Sequence, residues 1–280
     1  MARNPATDGN ARLGLIAGKG ELPRRLLAAC KASERPVSIL ALKGAADSVL
    51  LEEPHSRELR FGEAASGIEW LKAEGVVDIV MAGGVDRPSL SSLRPDAATA
   101  KLLARIGFRA LGDDGLLSAI AKILEQKGFR VVGAHEILGG LLCPDGLIGH
   151  LAVPGDAEED ITRGIEVVRA LGAVDVGQAA AIQQGLVLGV EAIEGTDALI
   201  RRAGALKRPG LGPVLVKLRK PGQDARLDLP TIGVGSIEEA YRAGFRGLVL
   251  EAGGVQLLDA EAVIRSADRY GLFVQGRLLS

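Results

Sequence analysis

The richest stretch for chemistry runs from Lys217 through Arg219, Lys220, Gln223, Asp224, Arg226 and Asp228 to Thr231, with Pro221 and Pro230 inside it. Lysine and arginine neutralise phosphate oxygens, while hard carboxylates hold Mg2+, which keeps several waters and takes few protein ligands. A solvated charged loop has the same composition. The mixture of both signs beside a proline and an apolar strand favours a site. Upstream, Glu194-Gly195-Thr196-Asp197 is an acidic loop that opens a helix. Thr196 suits the N-cap and Asp197 the first turn, so capping explains part of it. Asp175-Val176-Gly177-Gln178 precedes a strand, and Glu251-Ala252-Gly253-Gly254 follows one, where a site carboxylate would project.

The first half offers glycine loops. Gly18-Lys19-Gly20 lies between a strand and a helix, a place that suits an anion: small residues admit a phosphate to backbone N–H groups, and the helix start adds partial positive charge. A tight turn satisfies it equally. It is neither a Walker A loop nor the full dinucleotide fingerprint, whose third glycine is missing. Gly83-Gly84-Val85-Asp86-Arg87-Pro88 occupies the same place after another strand. There Arg87 could meet a phosphate and Asp86 a metal or sugar hydroxyl, or the two could pair with each other. Asp113 and Asp114 precede a helix; an N-cap accounts for one and leaves the other as a candidate ligand. No nucleophile elbow exists to complete a triad with His135; beside Glu136 it could orient a substrate phosphate, but a structural histidine is the plainer reading.

Short apolar runs at 12–17, 37–42, 76–82 and 130–132 alternate with helical patterns at 22–30, 66–74, 97–105 and 114–126. Near-continuous apolar strands with helical crossovers predict a parallel sheet covered on both faces, with ligands at the carboxyl ends of its strands. Glycines and prolines crowd residues 134–156, which sets the junction there. The expected organisation is a frayed tail over 1–11, a Rossmann-like α/β domain over 12–133, a linker over 134–156 and a second α/β domain over 157–280. In the second, helices at 157–171, from 196, at 237–243 and at 260–270 alternate with strand-like runs at 178–182, 186–191, 214–218, 231–234, 247–250 and 272–274.

The net charge of −1 argues against nucleic-acid binding through a broad basic field. Two cysteines, Cys30 and Cys143, are too few and too far apart for a disulfide framework or a zinc site, and read as buried thiols in a reducing compartment. No apolar stretch approaches the roughly 20 residues of a membrane span. A lipid substrate would therefore be met from the cytoplasmic side.

Taken in order, L-G-L-I-A-G-K-G-E-L-P, A-G-G-V-D-R-P, G-D-D, G-A-H-E, D-V-G-Q, E-G-T-D, K-P-G-Q-D-A-R-L-D-L-P-T-I-G and E-A-G-G resemble one family along nearly the whole chain. It is the bacterial UDP-2,3-diacylglucosamine diphosphatases of lipid A synthesis that are distinct from the metallophosphoesterase type. The resemblance implies two domains with the lipid substrate in a cleft between them, a homodimer, and transient contact with the inner membrane surface. It also implies Mg2+-dependent hydrolysis, with Mn2+ as a substitute, by water attack at the glucosamine-side phosphorus with UMP departing. By position the family's essential aspartate falls on Asp228. Two residues depart from the family pattern: Lys19 stands at a usually small position and Gly84 where asparagine is common.

On that basis Asp228, with Asp197, Glu194 or Glu251, is expected to hold the metal, and Lys217 and Arg226 to spread the charge of the transition state. Gly18, Lys19, Gly20, Gly84, Asp86, Arg87, Asp113, Gln178, Thr196, Gln223 and Thr231 are expected to contact the substrate. A non-catalytic nucleotide-sugar sensor and a nicotinamide-dependent oxidoreductase are the rival readings; the missing glycine of the dinucleotide fingerprint counts against the second.

Overall fold

The computed structural model describes residues 11–85, 95–97, 99–101 and 113–279, so Asp86, Arg87 and most of the helix expected at 97–105 lie outside the described residues. The chain divides into two compact units. The first is Met1–Gly139 together with Asp224–Asp228, and the second is Gly140–Gln223 with Leu229–Ser280.

In the first unit β1 (Leu13–Ala17), β2 (Val37–Leu42), β3 (Ser56–Leu59), β4 (Asp78–Ala82) and β5 (Arg130–Val131) form a sheet of order β3-β2-β1-β4-β5. Every pairing in it is parallel. This is the Rossmann-like arrangement expected from apolar strands alternating with helices. Helix Leu22–Ala32 starts with Pro23, which lacks only an N–H that the first turn leaves unused, and buries Leu26, Leu27 and Cys30. Helix Ala64–Ala73 approaches β2 and β3 closely at Gly67, where a Cβ would lie 2.9 Å from a Leu59 methyl. The short edge strand β3 carries Ser56, Arg57, Glu58 and Leu59, and so has no apolar run by which sequence could reveal it.

At the opposite end of this sheet Asp78 is fully buried. Its carboxylate accepts from Arg35 at 2.5 Å and from both Nε (2.7 Å) and Nη2 (2.8 Å) of Arg130. Two guanidinium groups thus compensate one desolvated carboxylate and clamp the start of β4 to its surroundings.

The five residues 224–228, expected in the second domain, group with the first because of two anchors. Leu227 joins the Leu40, Ile79 and Leu124 core. Arg226 reaches Glu125 and the Val131 carbonyl.

The second unit has β6 (Gly146–Leu147), β7 (Ala179–Gln183), β8 (Leu186–Val190), β9 (Val214–Lys217), β11 (Gly247–Glu251) and β13 (Phe273–Arg277), in the order β6-β13-β11-β9-β7-β8. β9, β11 and β13 are parallel, whereas β7 is antiparallel to β9 and β8 to β7. The β7–β8 turn has two successive residues with positive φ, Gln184 at 50° and Gly185 at 76°, the twist of a tight hairpin. Helix Glu158–Ala173 covers one face, with Ile161 and Val168 against Val216, Val249 and Phe273. On the other face, residues of helices Thr196–Ala205, Val234–Arg242 and Ala260–Tyr270 share a core with Leu215, Leu248 and Val274. A parallel pair, β10 (Thr231–Ile232) with β12 (Gln256–Leu257), lies outside the main sheet. Among the described residues no helix is long and apolar enough to cross a membrane.

Candidate active site

Strand directions in the second unit bring several chemistry-bearing residues to one sheet edge. β9 ends at Lys217 and β11 at Glu251, and the two run in parallel. Because β7 runs the other way, its start meets the end of β9: Ala179 pairs with Lys217, and the Leu218 N–H donates to the Gln178 carbonyl at 2.9 Å. β8 reverses again, so Glu191, just beyond it, returns to the same edge and its N–H donates to the Ala179 carbonyl at 2.8 Å. Thr196 starts the helix that follows.

Within this edge Lys217 is buried, with 4% exposure. Its Nζ donates to Thr196 Oγ1 at 2.7 Å and to the Thr231 carbonyl at 2.8 Å. The Thr196 hydroxyl donates in turn to Glu191 Oε1 at 2.7 Å. Three of the expected residues, Lys217, Thr196 and Thr231, thus form one network, with Lys217 buried and the two threonines half-buried. Gln178 adjoins it through its backbone N–H, 3.3 Å from Glu191 Oε2. The Gln178 Oε1 atom is buried with no hydrogen-bond partner among the described residues. Glu191 was not anticipated. Its one sequence signal is a carboxylate ending an otherwise apolar strand, five residues before Thr196.

The expected metal carboxylates do not assemble in this unit. Glu194 pairs with Arg202 at 2.6 Å, and its own backbone N–H, followed by Arg202, lowers its pKa. Asp197 accepts from the Ser236 hydroxyl at 2.8 Å. Glu251 Oε2 accepts the Arg219 backbone N–H at 2.8 Å. Asp228 groups with the first unit. Among the described residues no three His, Cys, Asp or Glu side chains gather as a metal cage. Gln223 closes a local turn, its Oε1 accepting the Lys220 N–H at 3.2 Å, while Lys220 pairs with Asp175 at 2.6 Å.

In the first unit Arg226 differs from the role expected of it. Its guanidinium bonds Asp224 at 2.6 and 3.0 Å and Glu125 at 2.8 Å. Those hydrogen bonds, Asp224 first, raise its pKa and hold the Asp224 carboxyl below the usual carboxylate range. Arg226 braces residues 224–228, with donors directed at carboxylates of its own unit.

The glycine loops after β1 and β4 also differ. The Gly18 N–H donates to the Ala82 carbonyl at 2.8 Å, Lys19 N–H to Gly84 at 2.7 Å, and Gly84 N–H to Lys19 at 3.1 Å. The Gly18, Lys19 and Gly84 amides are thus engaged with backbone carbonyls across the two loops. A Cβ on Gly18 would lie 2.5 Å from the Gly84 oxygen, and one on Gly83 2.5 Å from the Lys19 oxygen. Close backbone approach therefore accounts for both glycines. Gly20 and Gly84 face open space.

Asp113 opens helix Asp113–Gln126. Glu136 caps the turn Ala134–Ile137 by accepting the Gly133 N–H at 2.7 Å. The His135 ring packs on Gly133, its Nδ1 buried and without a partner among the described residues.

Comparison with known proteins covers both units. Residues 12–141 match the family model described as the LpxI N-terminal domain, and residues 144–275 match the LpxI C-terminal domain. A protein of Caulobacter vibrioides named UDP-2,3-diacylglucosamine pyrophosphatase LpxI is 42% identical over 272 residues, spanning 95% of this chain and 97% of the relative.

Proposed function

Since the chain belongs to the LpxI family, we propose that it hydrolyses the diphosphate of UDP-2,3-diacylglucosamine to UMP and 2,3-diacylglucosamine 1-phosphate. The observation that carries this reading is the 42% identity along nearly the whole of both the chain and the relative. Water adds to the glucosamine-side phosphorus, the bridging P–O bond at that phosphorus breaks, and UMP leaves with the bridging oxygen. Charge builds on the phosphoryl and bridging oxygens, so the step calls for fixed positive charge and donors in a site shielded from water.

Lys217 suits that role in the second unit: a buried ammonium at the carboxyl end of a central strand, fixed by Thr196 and Thr231. Gln178 Oε1, an acceptor still wanting a donor, suits a substrate hydroxyl or N–H.

Mg2+ belongs to the same reading. Glu194, Asp197 and Glu251 are engaged by protein groups and form no cage, so they do not fit a site built from protein carboxylates alone. An ion bringing most of its ligands as water and diphosphate oxygens needs one or two carboxylates, and Asp228 is the proposed one. When bound, such an ion neutralises diphosphate charge. Two acyl chains hold the substrate in a bilayer, so the protein is proposed to meet it at the membrane surface.

The test is UMP release from the lipid nucleotide in Mg2+ by purified wild type and Asp228→Ala. Wild type turns over, and the variant falls by about 10²–10³-fold or more. No release by wild type refutes the activity; normal turnover by the variant removes Asp228 from the chemistry.

A further inference from the structure

Glu191 is a buried carboxylate, 5% exposed, that the proposed reaction does not use. Its frame is rigid. Its N–H bonds the Ala179 carbonyl, and Gly177 packs so closely on its carbonyl that a Cβ there would lie 1.9 Å from the oxygen. One carboxylate oxygen faces the Gln178 N–H and the other takes the Thr196 proton.

The direction of the hydrogen bonds follows from the groups. An ammonium has only donors, so Thr196 Oγ1, 2.7 Å from Lys217 Nζ, must accept from it. A hydroxyl has one proton, and with its lone pair committed to Lys217 that proton must point elsewhere. Glu191 Oε1, acceptor-only when ionised, receives it. The carboxylate thereby turns the hydroxyl lone pairs toward the lysine. Thr196 is held in the first turn of a helix with its hydroxyl bonded on both sides, so the direction set at Glu191 reaches Nζ through a fixed atom. The Thr231 carbonyl supplies the second acceptor. A four-carbon stem that could otherwise sample several rotamers is confined to one.

We infer that Glu191, acting through the Thr196 hydroxyl, is a positioning residue for the Lys217 ammonium. This rests on the reading that Lys217 faces the diphosphate. Glu191 does not touch the substrate; it acts by orienting the hydroxyl that orients the ammonium.

Four variants in the full-length protein separate the two claims: Lys217→Met, Thr196→Val, Thr196→Ser and Glu191→Met, the last removing the acceptor that a glutamine would keep. Each is assayed for kcat and KM on UDP-2,3-diacylglucosamine with Mg2+, alongside thermal melting. A displacement of about 1 Å at a reacting group costs about 10²-fold, so Thr196→Val and Glu191→Met are expected to lower kcat by about 10–100-fold with KM within about threefold. Thr196→Ser restores the hydroxyl and keeps kcat within about threefold of wild type. Lys217→Met loses at least as much as either. Wild-type kcat in Lys217→Met overturns the role of Lys217 and the inference with it. An inactive Lys217→Met beside fully active Thr196→Val and Glu191→Met overturns the inference alone. A rise in KM at constant kcat also overturns it, by making Thr196 a binding contact. Should Thr196→Val melt too low to assay, the Thr196→Ser and Glu191→Met pair decides: loss in the second without loss in the first is required.

Discussion

Replacing Gly18 by alanine tests whether the glycine loops of the first unit are built for each other. The new Cβ would meet two backbone oxygens, Gly84 at 2.5 Å and Gly83 at 2.7 Å, and neither can rotate away as a side chain could. Relief requires the loops to part, which breaks the reciprocal Lys19–Gly84 bonds of 2.7 and 3.1 Å. At about 1 kcal/mol net for each bond, and about 2 kcal/mol for overpacking, the cost is about 4 kcal/mol. For a chain of this size that lowers Tm by about 8–16 °C. Gly84→Ala puts its Cβ in open space and is expected to cost no more than about 0.5 kcal/mol. Gly20→Ala also meets nothing, but φ of 94° imposes a left-handed penalty of about 1–2 kcal/mol. Trp70 is the sole tryptophan and packs against the core of the first unit, so its fluorescence follows that unit's unfolding. The expected order of loss is Gly18, then Gly20, then Gly84. A Gly18→Ala protein melting with wild type, or a Gly84→Ala protein as unstable as Gly18→Ala, would refute the packing argument.

Two further outcomes follow from burial and charge. Burial, reinforced by Asp145, pushes the Cys143 thiol up to about 12, and burial also raises Cys30. A disulfide reagent at pH 8 should therefore titrate neither thiol in the native protein and both in denaturant, and rapid native labelling of either would contradict the structure. Arg226 holds the Asp224 carboxyl below its ordinary value, so their pair stabilises the fold above about pH 4 and loses its contribution as pH falls through the depressed value. Urea midpoints of wild type and Asp224→Asn, followed by Trp70 fluorescence, should differ at pH 7 and converge below about pH 4. A gap that persists or widens in acid would reverse the assigned sign.

The sequence made the sheet of the first unit legible wherever strands were apolar. Leu13–Ala17, Val37–Leu42 and Asp78–Ala82 are buried on both faces, and their runs of aliphatic residues say so. Ser56–Leu59 was invisible for the opposite reason, being a polar edge strand. Lys217, Thr196 and Thr231 each drew notice because strand ends and helix starts are where chain direction concentrates polar groups, but that they share one network was not legible. The bracing of Arg226 was not legible because its partner Glu125 is 101 residues away, and local composition cannot distinguish a guanidinium awaiting phosphate from one on a carboxylate.

A glycine after a strand is ambiguous in the same way, since a ligand and another backbone both demand a missing side chain. What resolves it is the space a Cβ would enter. At Gly18 that space holds the Gly84 carbonyl, so the requirement is internal and any alanine there should cost stability whether or not substrate is present. At Gly84 the space is open, so a requirement for glycine could come only from something absent in the isolated chain. Activity lost in Gly84→Ala without loss of Tm would mark that position as a place of ligand approach. Unchanged activity would leave the second glycine of this loop with no role beyond lending its amide and carbonyl to Lys19.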